Sequence, residues 1–346
     1  MVQTLERLIN EEGEILIMEN KATLPTPSEL KAQYPLTQKA KETVHKGRKT
    51  ISNILTQQDP RFLIITGPCS IDDINTATKY AQKLKQLSQE VGDKIFLVMR
   101  TYFEKPRTTV GWKGLIYDPK RDETYQMLDG LIESRQLTID VGELAVPTAT
   151  EFLNPLVADY ISDGISWGAI GARTSESQTH RELAVSLPMP VGFKNTTEGN
   201  VKTAIASVQA ASSNQTYLGL SENNERKIIT VQGNHNAHLI LRGGTNGTNY
   251  DQESIKNALQ TLEDNNQQQR VIVDCSHANS NKKPENQPKV ALSVANQRQT
   301  NPYISGIMLE SYLIQGKGDL CGQSKTDGCI DWETTKKVIN EIYSVL

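Results

Sequence analysis

Short apolar segments recur along the chain, and each ends in polar or glycine-rich residues. Eight of them predict β-strands: RFLIITGPCS from Arg61, KIFLVMRTYF from Lys94, LTIDVGELA from Leu137, ISWGAIGAR from Ile165, PVGFKN from Pro190, HLILRGG from His238, RVIVDCSH from Arg270 and ISGIMLES from Ile304. Between them, apolar residues recur at helical spacing, as at Ala77, Tyr80, Ala81, Leu84 and Leu87. Strands that are apolar throughout are buried on both faces, so this alternation predicts a closed parallel (β/α)8 TIM barrel. An open nucleotide-binding sheet is disfavoured, because the first strand ends in GPCSIDD rather than G-x-G-x-x-G.

Two segments lie outside the strand–helix repeat. Residues 1–60 form a predicted N-terminal extension, in which Gln38 to Leu55 have the pattern of a polar helix. Residues 216–232 alternate polar and apolar side chains, which predicts a β-hairpin inserted between strands five and six. The catalytic barrel then takes residues 61–346, and the extension and the hairpin are candidates for contacts between subunits.

The charge balance argues against large polyanionic partners. The 346 residues contain 37 Lys and Arg against 40 Asp and Glu, a formal net charge of -3, so we expect neither nucleic acid nor a membrane surface as partner. No apolar stretch approaches the roughly 20 residues of a membrane span, and we predict a cytoplasmic protein. The four cysteines form no CxxC pair, which is typical of a reducing compartment and leaves thiols free for chemistry.

Charged residues occupy the positions where the predicted strands end. The active site of such a barrel is built from these carboxyl ends and the loops that follow. In chain order they carry Cys69, Arg100, Glu143, Arg173, Lys194, Arg242, His277 and Glu310, with Lys105 and Arg107 after strand two and Asp327 after strand eight. The basic residues outnumber the acidic ones near these ends, which predicts a ligand that carries phosphate and carboxylate groups, or two phosphates.

Four of these residues have the chemistry of a metal site. Taken singly, each has an ordinary structural explanation, as a buried thiol, a satisfied histidine or an ion-pair partner. Together they offer a thiolate, an imidazole and two carboxylates, a set suited to one divalent Mn, Fe, Co or Zn ion: Cys69, His277, Glu310 and Asp327. A metal beside a basic pocket predicts an aldol-type condensation or a metal-assisted phosphoryl reaction. A Schiff base on Lys194 is a second, less favoured interpretation.

At these residues the chain resembles the type I 3-deoxy-D-arabino-heptulosonate 7-phosphate (DAHP) synthases. The resemblance runs from about Leu24 to the C-terminus. It rests on GPCSIDD, MRTYFEKPRTTVGWKGLIYDP, SWGAIGARTSESQTHREL, PVGFKN, HLILRGG, DCSHANSNK, MLES and SKTDGCIDW. It implies the first enzyme of the shikimate pathway, which condenses phosphoenolpyruvate with erythrose 4-phosphate, and a homodimer or homotetramer with a possible aromatic amino acid effector.

The resemblance also implies a role for each site residue. The catalytic metal would be bound by Cys69, His277, Glu310 and Asp327. Phosphoenolpyruvate would be held by Arg100, Lys105, Arg173, Lys194 and Arg242 with the backbone of Ala172, and the phosphate of erythrose 4-phosphate by Arg107 and Thr108. We add the hypothesis that Lys105 gives a proton to the alkoxide formed from the aldehyde.

The chain departs from the family pattern at a few positions. The usual His of GPCSIHD is Asp72, and the His of the family's ESHL is Tyr312. A Ser in a region tied to feedback inhibition is Pro188, and a Thr-Lys pair in the hairpin is Ser221-Glu222. Asp72, Tyr312 and a shorter loop after strand eight suggest one alternative, a catalytically altered paralogue with a regulatory role. Another is the sister synthase that uses arabinose 5-phosphate and shares the barrel, although KPRTT resembles the DAHP branch more.

Overall fold

The computed structural model describes residues 23–346, and its centre is a closed barrel of eight parallel strands. Around the barrel the order is β1-β10-β9-β8-β5-β4-β3-β2. These strands are β1 (Phe62–Gly67), β2 (Ile95–Arg100), β3 (Thr148–Glu151), β4 (Trp167–Ile170), β5 (Val191–Lys194), β8 (His238–Leu241), β9 (Val271–Asp274) and β10 (Ile304–Glu310). The predicted (β/α)8 barrel is confirmed.

Helices cover the outside of this barrel. Two of them precede it, α1 (Pro27–Gln33) and α2 (Gln38–Leu55). The others are α3 (Ile74–Val91), α4 (Met127–Glu143), α5 (Pro155–Ile161), α6 (Gln178–Ser186), α7 (Val201–Ala211), α8 (Gln252–Asp264), α9 (Gln287–Arg298) and α10 (Trp332–Val345). A hairpin of β6 (Gln215–Leu220) and β7 (Arg226–Val231) and a short sheet of β11 (Ile314–Lys317) and β12 (Gln323–Ser324) lie outside the barrel.

The predicted third strand is wrong, because LTIDVGELA is the second half of α4. This helix packs on the barrel and also on α2, where the Thr43 hydroxyl donates to the carbonyl of Gly142 at 2.8 Å. Burial on several sides gives it a nearly continuous apolar run that imitates a buried strand. The true strand β3 contains Thr148 and Thr150, whose buried hydroxyls donate to backbone carbonyls. Its carboxyl end therefore carries Glu151, and Glu143 instead accepts a hydrogen bond from Thr37.

Helix α2 closes the N-terminal mouth of the barrel. Its apolar residues Ile51, Ile54 and Leu55 pack in one cluster with the side chains that point into the barrel, among them Leu63 of β1. A Cβ atom at Gly47 would come within 2.6 Å of Ser166 Oγ, so only glycine permits this close approach. The extension thus fills one mouth and leaves the opposite, C-terminal mouth to carry chemistry.

The hairpin contacts the extension and presents an apolar face. Glu222, in the turn between β6 and β7, lies 2.6 Å from the ammonium of Lys31 on α1. Leu218 and Ile228 form a cross-strand pair on the outer face and are 75% and 80% exposed. None of the helices in residues 23–346 has the length and apolar character that crossing a membrane requires.

Candidate active site

A cavity of about 780 Å³ opens at the C-terminal mouth of the barrel. The sequence-predicted residues that line it are Arg100, Lys105, Arg107, Thr108, Ala172, Arg173, Lys194, Arg242, His277, Glu310 and Asp327. Cys69 lies directly behind this wall and is fully buried. Glu143 was also predicted at a strand end, but it lies at the end of helix α4 and accepts a hydrogen bond from Thr37, away from the cavity.

Three of the four predicted metal ligands converge on one point. The Cys69 thiol and a carboxylate oxygen from each of Glu310 and Asp327 all lie within 4.8 Å of one another. The fourth, His277, places Nε2 at 3.9 Å from Glu310 Oε1. His277 also has a φ of +54°, an uncommon conformation for a residue other than glycine, and one that often marks a functional position. A thiol, an imidazole and two carboxylates at this spacing fit a divalent transition metal.

The environment of Cys69 keeps its thiol protonated when no cation is bound. Burial, together with the negative charge of Glu310, raises the pKa of the Cys69 thiol to about 11. The Lys105 ammonium, at 3.1 Å from Sγ, opposes this shift. A cation that binds here therefore has to displace a proton, as is usual for thiolate ligands.

Buried carboxylates hold the buried cations of the cavity. Arg100 Nη2 lies 2.9 Å from Glu310 Oε1, and the guanidinium stacks 3.6 Å from the ring centroid of Tyr102. Lys194 Nζ lies 3.5 Å from Glu151 and 3.3 Å from Asp274. Burial alone would lower the pKa of Lys194, but the phenol of Tyr102 and these two carboxylates raise it above its ordinary value. The ammonium thus stays protonated and suits anion binding.

The loop after β2 brings further cations to the cavity. Its neck is closed by the Lys105 amide, which donates to the carbonyl of Lys113 at 2.8 Å. Arg107 Nε donates to the carbonyl of Trp112 at 2.8 Å and stiffens the exposed tip, which also carries Thr108. Burial works against the charge of Lys105, but Cys69 and Glu310 raise its pKa above the ordinary value. Lys105 is thus protonated at neutral pH.

Three carboxylates of this region were missed in the sequence. Glu151 follows the strand that was assigned to the wrong segment, and it lines the cavity. Glu104 lies directly before Lys105 in YFEKPRTT, and Asp274 lies three residues before His277 in DCSHANSNK. All three are buried. A buried acidic residue next to a strand end was the available signal.

Glu104 joins the β2 loop to the end of β3. Its carboxylate accepts hydrogen bonds from the Tyr117 hydroxyl at 3.1 Å and from the backbone amides of Leu153 and Asn154 at 3.2 and 3.3 Å. Burial raises its pKa from the ordinary value of 4.5 to about 7, although these hydrogen bonds favour the charged form. Glu104 is therefore a buried group whose charge changes near neutral pH.

We expect Glu104→Gln to flatten part of the pH dependence of stability. With a raised folded-state pKa, wild type loses stability as the pH rises from about 4.5 to about 7, and the amide variant does not. Over this range the free energy of unfolding of wild type should fall by about 3 kcal/mol relative to the variant. Urea unfolding at a series of pH values measures the difference, and parallel curves would contradict the assignment.

Two departures from the family motifs, Asp72 and Tyr312, closely follow the predicted metal ligands Cys69 and Glu310 in the chain. Tyr312 is buried, and its hydroxyl is 2.6 Å from Thr76 Oγ1. Burial raises the pKa of Asp72, whereas the positive charges of Arg121 and Lys325 lower it. None of these residues is a predicted metal ligand, so the substitutions leave the four donors in place.

Comparison with known proteins agrees with this geometry. A family model described as the DAHP synthetase I family matches residues 33–340, which includes every predicted site residue. The chain belongs to the DAHP synthetase I family. The resemblance to the type I DAHP synthases, on which the sequence-based prediction rested, is confirmed. The match spans the barrel, the hairpin and most of the described extension.

Relatives within the DAHP synthetase I family are similar over nearly their whole length. The chain is 43% identical to "Phospho-2-dehydro-3-deoxyheptonate aldolase, Tyr-sensitive" of Escherichia coli, with 94% of each chain covered. It is 42% identical to the Haemophilus influenzae phospho-2-dehydro-3-deoxyheptonate aldolase, covering 91% of this chain and 90% of the relative. A solved structure of the aldolase from Francisella tularensis matches with a TM-score of 0.93 at 40% identity, covering 95% and 98%. That name denotes the same enzyme as 3-deoxy-7-phosphoheptulonate synthase, so the predicted enzyme is confirmed.

Proposed function

We propose that this chain condenses phosphoenolpyruvate with erythrose 4-phosphate to give DAHP and phosphate, as a metal-dependent enzyme at the entry to aromatic biosynthesis. The carrying observation is the cavity wall, where the predicted cations line one space beside three converging metal-type donors. Phosphoenolpyruvate carries about three negative charges and the sugar phosphate about two, so the cations offset a repulsion that would otherwise separate the substrates.

The proposed metal ligands are Cys69, His277, Glu310 and Asp327. A divalent cation held there would supply a Lewis acid for the aldehyde oxygen of erythrose 4-phosphate. The predicted ions, Mn, Fe, Co or Zn, all suit a site of mixed sulfur, nitrogen and oxygen donors. The convergence of the thiol and the two carboxylates supports this proposal.

The remaining residues bind and orient the substrates. Arg100, Arg173, Lys194 and Arg242, with Lys105 and the backbone of Ala172, would hold phosphoenolpyruvate so that its C3 faces the aldehyde. Arg107 and Thr108 on the loop tip would hold the sugar phosphate. A bond then forms between C3 and the aldehyde carbon, water adds at C2, and phosphate leaves. Positioning of this kind contributes much of the rate in two-substrate reactions.

Lys105 is the proposed proton donor to the new alkoxide. Its ammonium lies 3.1 Å from Cys69 Sγ, beside the proposed metal site, and its pKa is raised. A protonated amine at this place can give a proton where negative charge develops. Lys194 is unsuited to a Schiff base, since a nucleophilic amine has to be neutral and two carboxylates stabilise its charge.

A phosphate-release assay tests the proposed reaction. We expect release from phosphoenolpyruvate only when erythrose 4-phosphate is present, loss of release with EDTA, and recovery with added Mn²⁺. Turnover of arabinose 5-phosphate at a higher rate would favour the sister synthase. Absence of metal-dependent release with either sugar would favour a catalytically altered paralogue with a regulatory role.

We also propose a homodimer or homotetramer whose subunits meet at the hairpin. The exposed pair Leu218 and Ile228 supports this, because adjacent exposed apolar side chains on a sheet face often mark an interface. Leu218→Asp combined with Ile228→Asp should shift the sedimenting species to a smaller oligomer. Leu320→Asp makes the same change at another exposed site and should not. A wild type that sediments as a single chain would contradict the proposal.

An aromatic amino acid is the proposed feedback effector. Relatives from Escherichia coli are named Tyr-sensitive and Trp-sensitive. Pro188 lines a second cavity of about 550 Å³, whose wall also contains Arg48 and Lys49. At about 100 times its dissociation constant, one of Phe, Tyr or Trp should raise the melting temperature by about 4 °C. No shift with any of the three would contradict this regulation.

A further inference from the structure

Asp274 links the proposed metal site to the proposed anion site. This residue ends β9 and is fully buried. Its Oδ2 atom lies 2.9 Å from Nδ1 of His277 and 3.3 Å from Nζ of Lys194. Its Oδ1 atom accepts hydrogen bonds from the amide and the hydroxyl of Ser276, at 3.0 and 2.6 Å. One carboxylate therefore contacts a proposed metal ligand and a proposed phosphoenolpyruvate ligand at the same time.

The groups around Nδ1 indicate the tautomer of His277. Nδ1 faces Asp274 and also the Ser276 oxygen at 2.7 Å, and the Ser276 hydroxyl already donates to Asp274. Both neighbours of Nδ1 are thus acceptors, so the ring proton belongs on Nδ1. Nε2 is then the free lone pair, and it lies on the side of Glu310. A carboxylate behind the ring orients a histidine ligand and increases its basicity.

Lys194 divides its charge between two carboxylates. Its ammonium lies 3.3 Å from Asp274 and 3.5 Å from Glu151, and all three groups are buried. An anion in the cavity competes with both carboxylates for this ammonium. Each contact that Lys194 makes with the anion weakens its hold on Asp274 and leaves more of that negative charge to the Nδ1–H of His277.

We propose that Asp274 is a positioning residue that couples metal binding to phosphoenolpyruvate binding, so that each ligand tightens the other. The inference rests on the proposed function, because it needs both ligands in this cavity. Glu151 shares the Lys194 contact, but among the described residues it forms no ion pair or hydrogen bond with the His277 ring, whereas Asp274 lies 2.9 Å from Nδ1. Glu151 therefore contacts the proposed phosphoenolpyruvate ligand but not the proposed metal ligand. Asp274 contacts both, so the coupling acts through Asp274.

Mn²⁺ titrations of the metal-free enzyme test the coupling. Free Mn²⁺ is followed by electron paramagnetic resonance, with and without saturating phosphoenolpyruvate, and without erythrose 4-phosphate so that no turnover occurs. In wild type, phosphoenolpyruvate should lower the dissociation constant of Mn²⁺ by about fivefold or more, and Mn²⁺ should tighten phosphoenolpyruvate by the same factor. In Asp274→Asn, phosphoenolpyruvate should change the dissociation constant of Mn²⁺ by less than about twofold.

Glu151→Gln is the matched control, since it neutralises the other carboxylate partner of Lys194. Glu151→Gln should change the affinity for phosphoenolpyruvate, but phosphoenolpyruvate should still lower the dissociation constant of Mn²⁺ by the same factor as in wild type. If Asp274→Asn does not fold, Lys194→Gln provides an independent test. Measured without phosphoenolpyruvate, the Mn²⁺ affinity of Lys194→Gln should be higher than that of wild type without phosphoenolpyruvate. It should approach the affinity of wild type measured with phosphoenolpyruvate. An unchanged affinity in that variant, or the same factor in Asp274→Asn and wild type, would overturn the coupling.

The outcomes separate the coupling from the function. A wild type that binds Mn²⁺ and phosphoenolpyruvate with no mutual effect overturns the coupling and leaves the proposed reaction standing. A wild type that binds neither ligand contradicts the proposed function itself.

Discussion

Cys69→Ser is expected to reduce turnover by about 10²- to 10⁴-fold and to weaken metal binding. The thiol is buried at the point where Glu310 and Asp327 converge, and a serine hydroxyl is a poor ligand for a transition metal. Lewis-acid assistance contributes several kcal/mol to such reactions, which gives the size of the loss. Phosphate release measures the rate, and elemental analysis of the dialysed protein measures the bound metal.

Cys329→Ser is the matched control for this change. Cys329 is also buried, and its sulfur accepts a hydrogen bond from the Cys69 amide at 3.3 Å, which a hydroxyl can accept as well. It is not a predicted ligand, so metal content and turnover should stay near wild type. Full activity in Cys69→Ser, or equal losses in the two variants, would remove Cys69 from the proposed metal site.

Lys105→Met is expected to lower kcat by about 10²- to 10⁴-fold, the usual contribution of a positioned general acid. The substitution keeps the length of the side chain and removes the ammonium beside Cys69. Binding of phosphoenolpyruvate should also weaken, because the charge is lost from the cavity wall. Single-turnover kinetics at saturating substrates separate the two effects.

Lys282→Met makes the same chemical change elsewhere in the cavity. Lys282 lines the cavity but has no proposed role in the reaction, and it is exposed. A similar loss of kcat in both variants would indicate a general effect of charge rather than a proton donated by Lys105. A kcat near wild type in Lys105→Met, with weaker binding alone, would assign the proton to another group.

Sequence reasoning located the chemistry of this protein well wherever apolar strands end in polar residues. Cys69, Arg100, Lys194 and His277 follow segments whose burial is evident from composition alone, and the barrel brings their side chains to one mouth. Strand β3 was missed because it contains Thr148 and Thr150 and so lacks an apolar pattern. Their buried hydroxyls donate hydrogen bonds to backbone carbonyls. Because their hydrogen bonds are made inside the protein, polar side chains of this kind can be buried in a strand.

The tertiary contacts of the missed carboxylates were beyond the sequence, although their places beside strand ends were not. Glu104 bonds to groups near positions 117 and 153, and Asp274 bridges Lys194 and His277. Lys194 lies on another strand and the amide of Leu153 follows β3, so the sequence around Asp274 and Glu104 carries no sign of these two contacts. Helix α4 illustrates the converse, because its contact with the extension gave it the apolar run of a strand.

The closed neck of the β2 loop has a consequence for engineering. The amide of Lys105 is tied to Lys113, so the segment 106–112 is a cassette with fixed ends. Its tip residue Val110 faces the cavity and is otherwise in solvent, at 98% exposure. Exchanging this cassette would reshape the acceptor end of the cavity while Lys105 keeps its place beside Cys69. In the proposed reaction this loop would set the choice of aldehyde apart from the chemistry performed on it, and varying its seven residues would select acceptors of other lengths.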